Sequence, residues 1–112
     1  MKTLLIVGDL QVPQPLREII ERGSTAVETR RAADTRAASL PSVDRLVFWA
    51  SRGDEVVRTL AKKMRRDSAD RGETILFITP DDEPAPDGLL PDECYVWPRD
   101  EDRLVMAFMT GA

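Results

Sequence analysis

The chain has 112 residues, 42% of them hydrophobic, and 16 basic against 20 acidic side chains give it a net charge of −4. That length accommodates one domain with one core, spanning residues 1–112, and the charge favours solubility without conferring a general affinity for nucleic acid. Cys94 is the only cysteine and histidine is absent, which excludes an internal disulfide and removes the commonest general base and metal ligand together.

A lone cysteine fits a reducing compartment, so a cytoplasmic location is expected. The apolar run Leu4 to Val7 is too short for a signal peptide or a membrane span, and no membrane partner is expected. No Walker loop, dinucleotide glycine fingerprint or nucleophile elbow occurs, so neither cofactor nor metal is expected.

The chain alternates strand and helix. Thr3 to Val7 reads as a buried strand closed by Gly8-Asp9, and Pro15 suits the start of a first helix with Leu16, Ile19 and Ile20 as its stripe. Gly23 is its expected stop. Thr25 to Thr29 reads as a short edge strand. From Arg30 to Ser42 the pattern blurs, though Ala32, Ala33, Ala37, Ala38 and Leu40 are compatible with a short helix.

Leu46 to Ala50 is a continuous apolar run, the mark of a strand buried on both faces. Ser51 with Asp54 resembles a capping box, and Val56, Val57, Leu60, Ala61 and Met64 trace one helix face after it, with Asp54 and Arg58 spaced as a supporting pair. Gly72 is the expected stop. Glu73 to Thr79 reads as another strand, Pro80 to Pro91 as a proline-rich loop, Cys94 to Trp97 as a last strand, and Arg99 to Met109 as a last helix carrying Leu104, Val105, Phe108 and Met109 on one side.

Five strands with helical crossovers imply an α/β fold with a parallel sheet, and the expected strand order is 2-1-3-4-5, the flavodoxin-like arrangement. Such sheets bind ligands at their carboxyl edge. Gly8-Asp9, Trp49, Ser51 and Thr79 all fall there.

Val27-Glu28 with Ala32-Ala33-Asp34, the strand Asp44 to Phe48, and Tyr95-Val96-Trp97-Pro98 leading into Asp100 to Leu104 together resemble a response-regulator receiver domain over nearly the whole length. The resemblance implies a phosphoryl acceptor aspartate ending strand three, an acidic Mg²⁺-binding pair after strand one, a hydroxyl ending strand four, and a lysine before proline at strand five. Here Asp9 keeps one acid and Thr79 keeps the hydroxyl, but the acceptor position falls at Trp49 and the lysine position at Trp97. An indole accepts no phosphoryl group, and one acidic ligand holds Mg²⁺ poorly. The chain thus resembles a pseudo-receiver: a non-catalytic interaction or signalling module, not an enzyme. The resemblance also implies a cis bond at Trp97-Pro98. Because a loop replaces the helix between strands four and five, self-association or a protein partner is expected at Leu89, Leu90, Tyr95, Val105 and Met109.

Several residues carry a second reading. Trp49 and Trp97 either fill the vacated acidic pocket or stack a planar ligand. Asp9 either holds a metal or caps the first helix. The basic set Arg58, Lys62, Lys63, Arg65 and Arg66 either meets an acidic partner or is a solvated face. Asp81, Asp82, Glu83 and Asp87 fit no Ca²⁺ spacing and read as a hydrated loop. Cys94 has no histidine to activate it and reads as a core residue. The alternative function is a small nucleotide- or phosphate-binding protein or enzyme using Gly8-Asp9, Ser51 and Thr79.

Overall fold

The computed structural model describes residues 2–35, 43–51, 53–71, 74–80 and 94–109, with side chains given for all of these except 65–71. The elements are β1 (Lys2–Val7), α1 (Gln14–Arg22), β2 (Ala26–Arg31), β3 (Arg45–Trp49), α2 (Glu55–Arg71), β4 (Thr74–Thr79), β5 (Cys94–Val96) and α3 (Glu101–Met109). One 3₁₀ turn, Ala32–Asp34, stands where the sequence pattern blurs. All strands are parallel in the order β2-β1-β3-β4-β5, a flavodoxin-like α/β sheet. No helix among the described residues is long and apolar enough to cross a membrane.

Alternation along the strands assigns the two faces. Leu4, Ile6, Leu46, Phe48 and Phe77 join Val57, Leu60, Ala61 and Met64 of α2 in one core layer, together with Ala32 and Cys94. Leu5, Val47, Trp49, Leu76 and Ile78 join Leu16 and Ile20 of α1 and Leu104 and Phe108 of α3 in the other. Every residue of β3 is buried, as its unbroken apolar run predicts for a central strand.

Several local expectations shift by a residue or two. β2 runs to Arg31 because the register pairs Arg30 with Ile6 and Arg31 with Val7. It is an edge strand, as expected. Val56, expected on the buried face of α2, is 53% exposed, whereas Val57 is fully buried. Arg58 pairs with Glu55 at 3.6 Å instead of with Asp54, whose carboxylate is engaged elsewhere. Gly23 does end α1, but at φ −87°. Its need is for space: a Cβ there would stand 2.8 Å from the carbonyl oxygen of Phe108, so glycine lets the ends of α1 and α3 close up. α3 begins at Glu101, after a turn in which Asp100 accepts from Val96 N at 2.8 Å. The peptide bond Trp97-Pro98 is cis, as expected.

The stop at Gly72 and the proline-rich loop, with Asp81, Asp82, Glu83, Asp87, Leu89 and Leu90, fall outside the described residues, as do Ala37, Ala38 and Leu40.

Candidate functional site

The carboxyl edge of β1 and β3 is fastened by side chains from the two segments that follow these strands. Gly8 N donates to Trp49 O at 2.8 Å, which carries the β1–β3 pairing one step past the strands. The chain then turns at Asp9. The Asp9 carboxylate accepts from Ser51 N at 3.0 Å through Oδ1 and from Ser51 Oγ at 2.6 Å through Oδ2. The Asp54 carboxylate accepts from Asp9 N at 2.9 Å through Oδ2 and from Val57 N at 3.1 Å through Oδ1.

The capping assignment therefore changes. Asp54, not Ser51, caps α2, because its Oδ1 reaches the amide of the third helical residue. Ser51 is drawn off by Asp9. Asp9 does not cap α1 either: that helix starts at Gln14, and its N-cap position, Pro13, has no side-chain bond. Pro13 and Pro15 lack the amide hydrogens that a cap would satisfy.

Partial desolvation pushes the Asp9 carboxyl up, but the bonds from Ser51 Oγ and N outweigh it and hold the group below the ordinary aspartate value. Gly8 is the residue that makes this corner possible. A Cβ there would lie 2.5 Å from Asp54 Oδ2, 2.7 Å from Ala50 Cβ and 2.7 Å from Val57 Cγ2.

Trp49 ends β3 but does not enter this corner. Its ring is 3% exposed, lies in the α1/α3 layer, and donates from Nε1 to Gln11 O at 3.1 Å. The indole pins the loop between β1 and α1 and presents no face on which a planar ligand could stack. Trp97 is half-buried against the same layer. Thr79 is fully buried, and its carbonyl accepts from Trp97 N at 2.8 Å. The residues proposed as a degenerate receiver site thus divide. Asp9 stays in the polar corner; Trp49 belongs to the core, and Trp97 packs half-buried against it.

A groove of 350 Å³ opens beside the corner, lined by Asp9, Arg31, Asp34, Asp54 and Val56 among others. Among the described residues, three carboxylates and one guanidinium line it. Among the described residues no cluster of three or more His, Cys, Asp or Glu side chains could hold a metal ion.

At the far end of β5, Asp100 forms the matching fastening. Burial pushes its carboxyl up, but the bond from Val96 N and the charges of Arg99 and Arg103, each 3.6 Å away, bring it below the ordinary value.

The remaining candidates are placed as follows. Cys94 is buried in the α2 layer. Arg58 is engaged with Glu55, Lys62 and Lys63 are exposed, and the side chains of Arg65 and Arg66 lie outside those described. Of the expected interaction face, Val105 and Met109 are exposed on α3, but Tyr95 is not available. Its ring is buried beneath the Arg103 guanidinium, 4.8 Å from the ring centroid. α3 and Trp97 pack against the same layer and leave that ring no outlet.

No family model, curated protein or solved structure matches the chain.

Two residues carry more than the sequence reading gave them. Asp54 holds two turns and a helix start together; the aspartate directly before a helical pattern was the available signal. Arg45 is 2% exposed, and its Nη1 donates to Gly23 O at 3.3 Å while the guanidinium sits 4.3 Å from the Phe108 ring centroid. Burial lowers its pKa, against the opposing pull of Asp44. A charged residue opening an apolar run is the only trace it leaves in the sequence.

Proposed function

We propose that the chain is a non-catalytic, receiver-like interaction module that works without phosphorylation, in a reducing cytoplasmic setting. One observation carries this reading. Where a phosphoryl-accepting sheet edge needs a carboxylate at the end of β3, this chain has an indole 3% exposed, and the acid that follows β1, Asp9, accepts from Ser51 through both oxygens. Such a corner has been given over to holding loops. Its contacts with other molecules then fall to surface elsewhere, and the exposed apolar side chains of α3 supply it.

The phosphate- or nucleotide-binding reading has a groove of adequate size in its favour. Against it stand the carboxylates of Asp9, Asp34 and Asp54, which repel an anion, and the burial of Thr79.

The test is incubation with acetyl phosphate and Mg²⁺, followed by intact mass measurement, beside a thermal-shift screen of nucleotides. The expected result is no phosphate adduct and no shift in melting temperature. A hydroxylamine-labile adduct on Asp9 or Asp44, or stabilisation by a nucleotide, overturns the reading.

A further inference from the structure

Between α1 and α3 lies an apolar groove of 220 Å³, lined by Ile19, Arg22, Val105, Phe108 and Met109. On α3 the outward residues Asp102, Val105, Met106 and Met109 follow at i, i+3, i+4 and i+7, so they form one stripe. Val105 is 38%, Met106 61% and Met109 70% exposed. A contiguous run of exposed large apolar side chains on a small domain marks a contact surface.

The stripe is acidic at one end and basic at the other. Asp102 lies in the first turn of α3. Arg22 lies in the last turn of α1 and borders the groove beside Met109. The two helices follow parallel strands and run the same way, and the close approach of Gly23 to Phe108 sets their C-terminal ends side by side. Neither Arg22 nor Asp102 forms a salt bridge among the described residues.

We propose that this face binds a second copy of the chain, α3 packing antiparallel on α3 about a two-fold axis near Val105 and Met106. The proposal rests on the reading of the chain as an interaction module. Asp102 and Met109 stand seven residues apart, about 10 Å along a helix at 1.5 Å per residue. In the antiparallel pair, Asp102 of one copy therefore faces Met109 and Arg22 of the other, and the two-fold axis makes that contact twice. Parallel pairing would set Asp102 against Asp102 and Arg22 against Arg22. A partner of one sign would meet one end of the stripe well and the other badly. A surface with both signs at this spacing is what the chain itself presents, and charge fixes the register while the methionines and Val105 supply the apolar contact.

The test is sedimentation equilibrium of the full chain in a concentration series reaching the millimolar range. A reversible dimer is expected. Arg22→Asp and Asp102→Arg should each weaken it about tenfold or more, and the double reversal should recover it to within about threefold. Both side chains are exposed, so each variant should keep the wild-type far-UV spectrum and urea midpoint; Met109→Asp provides a second route to a folded monomer. A wild-type monomer at the highest concentration, a dimer indifferent to both single reversals, or a double reversal without recovery overturns the proposal. A monomer that also takes up no phosphate removes self-pairing and leaves the non-catalytic reading standing. Phosphate on Asp9 removes that reading whatever the oligomeric state.

Discussion

The corner at Gly8, Asp9, Ser51 and Asp54 and the groove between α1 and α3 differ in what they leave unsatisfied. The corner holds groups able to do chemistry, yet its carboxylates accept from neighbouring amides and a hydroxyl and tie β1, β3 and α2 into one unit. The groove holds no chemistry, but it exposes Val105 and Met109 to solvent, which is unfavourable until something covers them. Polar density at this sheet edge goes with side chains that bond to one another. The lesson lies in where the hydrogen bonds end.

Substitutions should separate the two regions by their effect on stability. The largest effect is expected from Gly8→Val, which forces side-chain atoms into space already held by Asp54, Ala50 and Val57. A loss of about 3 kcal/mol in urea unfolding is expected from overpacking of this kind. A loss under about 1 kcal/mol would mean that the corner yields.

Asp54→Ala comes next. It deprives Asp9 N and Val57 N of their acceptor at once and should cost about 2 kcal/mol, with exchange of the first α2 amides accelerated. Ser51→Ala, which removes one bond to Asp9, should cost about 1 kcal/mol.

A pH series sharpens the same contrast. Asp9 and Asp100 both titrate below the ordinary 3.8 in the folded chain, so the unfolded chain binds protons more readily around that pH. The stability these groups contribute is full above the unfolded value and is lost as pH falls through their folded values. Urea midpoints should therefore drop below about pH 4, and Asp9→Asn should flatten part of that drop. An unchanged slope in the variant would show that Asp9 takes no part.

The smallest effect on stability belongs to the groove. Met109→Asp changes a side chain 70% exposed and should shift stability by less than about 0.5 kcal/mol while abolishing the proposed association. A large loss of stability would place Met109 in the core after all.

Much of the fold is legible in the residues because period and punctuation are local. The unbroken run Leu46 to Ala50 reads as a strand covered on both faces, and Leu16, Ile19 and Ile20 read as the inner stripe of a helix, of which Leu16 and Ile20 are fully buried. The parallel sheet follows from the same alternation, since parallel neighbours require crossovers, whereas the order 2-1-3-4-5 is expected only from the flavodoxin-like arrangement. Of the residues expected on an interaction face, Val105 and Met109 are exposed, whereas Tyr95 is buried on β5 beneath Arg103.

What the sequence determined by itself is the class of each segment and the absence of an acid at the end of β3. Both depend only on which residue types stand at which spacing. The tertiary structure alone decided which neighbours the polar groups found. Ser51 is the expected cap of α2, with Asp54 as its capping-box partner, and the role falls to Asp54 because Asp9, 42 residues earlier in the chain, arrives within 2.6 Å of the Ser51 hydroxyl. Val56 and Val57 are alike in sequence, yet only the rotation of α2 against β1 and β3 buries one and exposes the other. Arg45 opens an apolar run, and the meeting of Gly23 and Phe108 above it gives its guanidinium a carbonyl to reach and a ring to cover it. Contacts across that much chain depend on packing, which no local pattern encodes.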